Sequence, residues 1–281
     1  MVVFLNGKFV PEADAVVPLN DRGFLLGDGL FETVRVANGR PFRFAQHLER
    51  LARGADFLKI QLPFAPKEIQ KFAAQLIEKN NLPEAVLRLT LTRGAGARGY
   101  SPKNAGSPTF AMTLHPLPPA NLDEPLQWSL ITSSFRIPAG DALAAFKTTS
   151  KIMNVLARAE AEEQGADEAL LLNTNGEVAE TAGGNIFWIY QEKVCTVPTG
   201  RGVLPGITRA VVLEICQALG LATNKCVIKP EQLRNAAGIF ITQSALGIIP
   251  VAAFDGMPVA PSPLVDQIAV AYHEMLASGS A

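Results

Sequence analysis

A proline-rich stretch near the middle of the chain divides the sequence into two parts. Residues 115–125 read HPLPPANLDEP, with four prolines in eleven positions. Proline fixes φ and removes a backbone hydrogen-bond donor, so this stretch favours neither a helix nor a central strand. We therefore predict an N-terminal domain over residues 1–118, an interdomain linker over 119–125 and a C-terminal domain over 126–281. A chain of 281 residues is long enough for two domains of ordinary size.

The N-terminal part predicts an α+β domain. Asn6-Gly7 separates two short apolar runs, which is typical of a tight β-hairpin. Residues 29–36 and 85–92 are strand candidates because they are rich in apolar and β-branched residues. Residues 46–58 and 66–79 are helix candidates, and the first of them repeats apolar residues along one helical face.

The C-terminal part predicts an α/β or α+β domain with alternating strands and helices. Two helices are expected at residues 151–164 and 208–219, because each stretch is followed directly by a glycine, the usual residue after a helix end. The apolar tract 236–254 is interrupted by polar residues and Pro250, so it predicts strand, turn and strand instead of a membrane span.

Charge and composition exclude several classes of protein. The formal net charge is −1, and the basic residues are scattered, so we expect no nucleic-acid partner. The three cysteines lack C-x-x-C spacing and the three histidines lie far apart, so we expect neither a disulfide framework nor a metal site. The apolar run at residues 2–5 is too short for a secretory signal. We therefore expect a cytoplasmic protein without a membrane partner.

Lys147 is a candidate nucleophile. It follows three apolar residues, and Thr148-Thr149-Ser150 after it are typical of the start of a helix. Partial burial and the positive end of a helix dipole both favour a neutral amine, which attacks aldehydes. A surface lysine beside a helix cap would have the same local sequence. Lys151, in the first helical turn, is the competing candidate.

Three turns of the C-terminal part contain further candidate groups. Glu180 ends a predicted strand at a glycine-rich break, where its carboxylate could hold a pyridinium nitrogen protonated or could be a solvated turn residue. Pro205-Gly206 opens a helix whose free N–H groups could bind phosphate, although the same dipeptide is ordinary turn sequence. The turn at residues 242–247 could add hydroxyl and N–H donors.

A glycine-rich loop in the N-terminal part contains two arginines. Residues 92–101 lack the G-x-x-x-x-G-K-[ST] pattern, so the loop is not a P-loop. Arg98 on this loop is suited to capture a substrate carboxylate with two parallel hydrogen bonds. A solvated surface loop would have the same composition.

The order and spacing of six motifs resemble the class IV, or fold-type IV, aminotransferases. The motifs are LNDRGFLLGDGLFETVRV at 19–36, HLERL at 47–51, FKTTSKIMNVLARAEAEEQGADEAL at 146–170, EVAETAGGNIFW at 177–188, LPGITR at 204–209 and FITQSALGIIPV at 240–251. The resemblance implies a two-domain fold like that of D-amino acid aminotransferases and pyridoxal 5'-phosphate (PLP) as cofactor. It also implies an amine or amino-acid substrate and a homodimer.

The resemblance also implies roles for individual residues. Lys147 would bind the aldehyde of PLP covalently, and Glu180 would pair with the pyridine nitrogen. The remaining cofactor contacts would go to the phosphate, and they come from Arg50, Ile207, Thr208, Ser244 and Ala245.

Within the family, the motifs look most like those of the 4-amino-4-deoxychorismate lyases. The matching stretches are RGAGARGYS at 93–101 and TQSALGIIPV at 242–251, although Gln243 replaces the asparagine common in that branch. A lyase would release 4-aminobenzoate and pyruvate. Its substrate contacts are expected from Phe31, Thr33, Arg98 and Tyr100. The alternative is an aminotransferase that acts on D-amino acids or branched-chain L-amino acids with a 2-oxo acid acceptor. Lys147 and Glu180 serve both reactions and therefore do not separate them.

Overall fold

The computed structural model describes residues 1–117 and 126–279. The described residues form two compact units: the first comprises residues 1–117, 146–151 and 276–279, and the second comprises residues 126–145 and 152–275. The predicted linker, 119–125, lies outside the described residues, and the predicted domain limits stay a prediction.

The first unit contains a six-stranded antiparallel sheet in the order β2-β1-β6-β5-β3-β4. Its strands are β1 (Val2–Leu5), β2 (Lys8–Pro11), β3 (Gly29–Ala37), β4 (Arg40–Pro41), β5 (Ala85–Thr92) and β6 (Thr109–Pro116). Its helices are α1 (Arg22–Leu26), α2 (Phe44–Leu58) and α3 (Pro66–Asn80). Apolar side chains of α2 and α3 form one buried core with side chains of β3, β5 and β6.

The segment that contains Lys147 belongs to the first unit, although the sequence-based division assigned it to residues 126–281. The backbone N–H of Phe31 donates to the Lys147 carbonyl, and that of Thr149 donates to the Gly29 carbonyl, each at 2.9 Å. The hydroxyl of Thr149 donates to the Gly27 carbonyl at 2.8 Å. These bonds attach the lysine segment to the start of β3.

The second unit contains a nine-stranded sheet in the order β12-β11-β10-β13-β14-β7-β8-β9, with β15 paired to β14. Its strands are β7 (Trp128–Ile137), β8 (Glu168–Asn173), β9 (Val178–Thr181), β10 (Asn185–Tyr190), β11 (Lys193–Thr196), β12 (Thr223–Lys225), β13 (Ile239–Gln243), β14 (Gly247–Phe254) and β15 (Met257–Pro258). The helices that follow the Lys147 segment are α4 (Ile152–Glu163), α5 (Ile207–Ala218), α6 (Pro230–Leu233) and α7 (Pro263–Ser278). Alternate residues of several strands line a second apolar core.

The local sequence signals correspond to the observed elements. Asn6 and Gly7 have φ angles of 47° and 89°, as the predicted hairpin turn requires. Gly165 and Gly220, with φ of 72° and 69°, follow the ends of α4 and α5. The two sheets with flanking helices confirm the predicted mixture of α+β and α/β structure. No helix among the described residues is long and apolar enough to cross a membrane.

Candidate active site

Lys147 lies beside an aromatic ring and a second cation in the first unit. Its Nζ is 4.7 Å from the centre of the Phe31 ring, and Cζ of Arg88 is 4.2 Å from the same centre. Phe31 and Thr33 lie on one face of β3, because residues two positions apart in a strand point to the same side of the sheet. Thr33 pairs directly with Arg88 of β5. The structure thus groups Phe31, Thr33 and Lys147, and it adds Arg88.

Arg88 was missed by the sequence reasoning. Its side chain is half-buried, and burial lowers the pKa of the guanidinium. Within the described ranges it has the Phe31 ring contact but no hydrogen bond or ion pair. A partly buried cation without a carboxylate partner is suited to bind an anionic ligand. The available signal was a single charged residue within the apolar strand AVLRLTLT at 85–92.

Arg50 is held by a buried charged network. Its Nε and Nη2 donate to the two carboxylate oxygens of Glu32, at 2.8 and 2.6 Å. Nδ1 of His47 lies 2.7 Å from Oε2 of Glu32. The three residues are at most 3% exposed. Burial alone raises the pKa of Glu32. The hydrogen bonds with Arg50 and His47 outweigh this effect and lower the pKa to about 2. Glu32 is therefore charged at neutral pH and fixes the orientation of the guanidinium.

The Glu180 carboxylate is oriented by the turn that precedes α5. Oε2 of Glu180 accepts the Leu204 N–H at 3.0 Å, and Nδ2 of Asn185 lies 3.5 Å from the same oxygen. The Asn185 amide also donates to the Leu204 carbonyl at 3.0 Å. These contacts connect the end of β9 to the LPGITR motif. Asn185 and Leu204 had no assigned role in the sequence reasoning.

The N-terminus of α5 has the features of an anion site. Gly206 is the N-cap residue and provides no side-chain cap, and Ile207 and Thr208 are the first helical residues. The N–H groups of a first helical turn lack acceptors within the helix and attract anions. A Cβ atom on Gly206 would collide with Oδ1 of Asn185, so only glycine allows this approach.

Ser244 and Ala245 lie in the turn between β13 and β14, and both are half-buried. Thr242 precedes this turn and pairs with Asn185 across the sheet. Its buried hydroxyl has no hydrogen-bond partner within the described residues. Because Asn185 also abuts Gly206, it connects Thr242, near the end of β13, to the start of α5.

Arg98 and Tyr100 lie on an exposed loop, and Tyr100 is 88% exposed. Within the described residues, the Arg98 side chain forms no hydrogen bond or ion pair. The backbone of the loop is nevertheless fixed. The buried guanidinium of Arg22 donates to the carbonyls of Gly99, Tyr100 and Ser101 at 3.0–3.1 Å. The structure does not bring these two side chains into contact with Lys147 within the described residues.

Comparison with known proteins gives consistent matches over most of the chain. The family model described as amino-transferase class IV matches residues 29–254. A "Putative branched-chain-amino-acid aminotransferase" of Methanocaldococcus jannaschii is 36% identical over 256 residues, which cover 91% of this chain and 88% of that protein. The D-alanine aminotransferase of Bacillus licheniformis is 29% identical, and the matched region covers 100% of this chain and 99% of that protein. The aminodeoxychorismate lyase of Bacillus subtilis is 30% identical, with coverage of 89% and 85%.

Two solved structures have closely similar folds. The branched-chain aminotransferase of Escherichia coli matches with a TM-score of 0.93 and 25% identity, covering 100% of this chain and 96% of that one. The branched-chain aminotransferase of T.th., solved with pyridoxamine 5'-phosphate, matches with a TM-score of 0.93 and 27% identity, covering 99% and 94%. These matches confirm the predicted fold-type IV architecture.

Proposed function

The chain belongs to the class IV aminotransferase family, and from this we propose that it transfers the amino group of branched-chain L-amino acids to a 2-oxo acid. Its cofactor is PLP. The motifs alone favoured the lyase reaction. The relatives and solved structures instead support the aminotransferase alternative, because one relative described as a branched-chain enzyme is 36% identical and a solved branched-chain enzyme matches with a TM-score of 0.93.

The observation that carries this proposal is that Lys147 and Arg88 lie beside the same ring, that of Phe31. Both cations lie within 5 Å of the Phe31 ring centre, on the same face of the sheet in the first unit. An amino acid offers an amine for the cofactor aldehyde and a carboxylate for a guanidinium. We assign the carboxylate to Arg88 instead of Arg98, because Arg88 is half-buried beside Lys147. The Phe31 ring supplies an apolar surface suited to an aliphatic side chain.

The available donor groups fit PLP. When bound, this cofactor supplies an aldehyde for amines and a ring that withdraws electrons from the substrate. We propose that Nζ of Lys147 would hold the cofactor through its aldehyde and, as a free amine, would move the proton at the substrate carbon. Glu180, oriented by the Leu204 N–H, would keep the pyridine nitrogen protonated.

We propose that the phosphate is held by charge and by backbone donors. Glu32 orients Arg50 for this role, and Ile207 and Thr208 present the uncapped start of α5. The turn of Ser244 and Ala245 would add further donors. The hydroxyl of Thr242, which lacks a partner within the described residues, also fits a polar ligand at this end of the sheet.

We also propose that the protein is a homodimer. The first unit exposes Leu19 by 81% and Phe24 by 72%, and the second exposes Ile152 by 65% and Val155 by 58%. Contiguous exposed apolar surface is typical of subunit interfaces, and in each unit the two exposed side chains lie within five positions of each other in the chain. Sedimentation velocity should give a dimer for the wild type and a monomer for Phe24→Glu. A monomeric wild type would contradict this proposal.

The lyase reaction remains a second candidate. It is supported by the 30% identical Bacillus subtilis lyase and by the RGAGARGYS motif. In that case Arg98 and Tyr100 would be substrate contacts, and their role stays a prediction.

One assay separates the two reactions. Purified protein loaded with PLP is incubated with L-leucine, L-isoleucine, L-valine or D-alanine plus 2-oxoglutarate, and separately with aminodeoxychorismate. We expect the L-amino acids to yield 2-oxo acids and glutamate. If only D-alanine is converted, the substrates are D-amino acids and not branched-chain L-amino acids. If aminodeoxychorismate yields equal amounts of pyruvate and 4-aminobenzoate and no amino acid is converted, the enzyme is a lyase and not an aminotransferase.

A further inference from the structure

A fully buried carboxylate connects several elements of the second unit. Glu168 is the first residue of β8 and is 0% exposed. Its Oε2 accepts from Nε2 of Gln243 at 3.4 Å and lies 3.5 Å from Nη1 of Arg158. Its Oε1 accepts the N–H of Ala169 at 2.9 Å. No step of the proposed reaction uses this carboxylate, so its burial requires another explanation.

The turn after Glu180 packs directly on this carboxylate. Burial raises the pKa of Glu168, while the backbone N–H groups of Ala169, Gly183 and Ala182 and the charge of Arg158 oppose that shift. A Cβ atom on Gly183 would lie 2.7 Å from Nε2 of Gln243 and 3.0 Å from Oε2 of Glu168. The turn therefore approaches Glu168 closely because residue 183 is glycine.

Two turns that carry proposed cofactor contacts meet at Glu168. Ala182–Gly183 begins two residues after Glu180, and Gln243 directly precedes Ser244. Nδ2 of Asn154 also holds the first turn by donating to the Ala182 carbonyl at 2.9 Å. Glu168 is thus one residue that contacts both turns.

A cavity of ≈ 590 Å³ borders the same carboxylate. Its lining includes Trp128, Asn154, Arg158, Gly183, Gln243 and Leu246. Because the cavity leaves one side of both turns without dense packing, polar contacts have a larger share in fixing their positions than in a filled core.

We propose that Glu168 is a positioning residue that holds the Ala182–Gly183 and Gln243–Ala245 turns, and through them Glu180 and Ser244, in the geometry that binds the cofactor. The assignment of those cofactor contacts rests on the proposed function. The polar contacts of Glu168 with both turns do not depend on it.

Hydrogen exchange in the cofactor-free protein tests whether Glu168 holds the turns. Glu168→Gln should speed exchange of amides 182–184 and 243–246 by roughly tenfold, the effect of losing one charge-assisted hydrogen bond. The matched control is Glu162→Gln, because Glu162 is the other carboxylate bonded to Arg158 and lies on the exposed side of α4. Unchanged exchange in Glu168→Gln would overturn the proposal.

Titration with PLP tests whether the position of the turns affects the cofactor. Glu168→Gln should raise the PLP dissociation constant about tenfold. It should also shift the pH midpoint of the visible absorbance of the bound cofactor, whereas Glu162→Gln should match the wild type. Wild-type affinity and midpoint in Glu168→Gln would refute the inference even if the enzyme transaminates.

A second variant keeps the test decisive if Glu168→Gln does not fold. Gln243→Ala removes one donor but leaves the carboxylate and its other contacts. It should speed exchange at 182–184 and 243–246 and weaken PLP binding, and wild-type behaviour in both would overturn the proposal. Failure of the proposed function has a different signature, because the wild type would then bind PLP but transfer no amino group, while the exchange result would stand.

Discussion

At the scale of single residues, Lys147 and Lys151 are separated by four positions but have different surroundings. Nζ of Lys147 faces the Phe31 ring near Arg88, whereas Lys151 directly precedes α4. Lys147→Ala should therefore abolish both the visible absorbance of bound PLP and the activity, because no other amine replaces it. Lys151→Ala should keep both. The measurement is an absorbance spectrum after dialysis, and an unchanged visible band in Lys147→Ala would contradict the assignment.

Arg88 and Arg98 make competing predictions about the substrate carboxylate. Lysine keeps the charge but cannot form the two parallel hydrogen bonds of a guanidinium. Losing such a bond to a charged group costs about 1.5–3 kcal/mol, or roughly ten- to a hundredfold. Arg88→Lys should raise KM for the amino acid by that factor while PLP stays bound. Arg98→Lys is the matched comparison. A large effect in Arg98→Lys alone would restore the assignment made from the sequence.

At the scale of elements, the start of α5 depends on a glycine for steric reasons. A side chain at Gly206 would displace Asn185, which contacts Glu180 and Leu204. Gly206→Ala should therefore weaken PLP binding by about tenfold, the equivalent of about one lost hydrogen bond. Gly200→Ala is the control, because nothing lies within 4 Å of a Cβ atom there. Equal PLP affinities of the two variants in a fluorescence titration would rule out this role.

The sequence predicted those elements whose signals are local. The hairpin at Asn6-Gly7 and the helix ends before Gly165 and Gly220 depend on a few neighbouring residues, and the structure confirms them. The attachment of the Lys147 segment to β3 joins residues more than a hundred positions apart, and no local pattern encodes it. The contact of Glu168 with Gln243 spans 75 positions, and no local pattern encodes it either.

The candidate site shows the same division between local and long-range information. The motifs predicted cofactor roles for Lys147, Glu180 and Arg50, because each stands in a recognisable stretch, and these roles stay a prediction. They did not predict a role for Arg88. We propose it as a substrate contact because it lies beside Phe31 and Thr33 of β3 and has no carboxylate partner in the described part of the chain. Both properties appear only when the sheet is assembled.

At the scale of the whole molecule, the Glu32 network should make the stability of the fold depend on pH. Burying one member of an ion pair without its partner costs about 3–5 kcal/mol. Glu32→Gln leaves the Arg50 guanidinium without its carboxylate in the buried core, so it should lower the free energy of unfolding by about that amount at neutral pH. The control is Glu84→Gln, because Glu84 pairs with Arg35 at the surface, where an ion pair contributes about 0–1 kcal/mol.

The sign of the pH effect follows from the direction of the pKa shift. Folding lowers the pKa of Glu32 from 4.5 to about 2, so the charged form stabilises the fold fully above pH 4.5 and progressively less as the pH falls towards 2. The difference in unfolding free energy between the wild type and Glu32→Gln should therefore shrink across this range. Urea unfolding at a series of pH values measures it. Acidification removes the charge of Glu32 but leaves its shape almost unchanged. A difference of constant size at every pH would therefore mean that the shape of Glu32, and not its charge, stabilises the network.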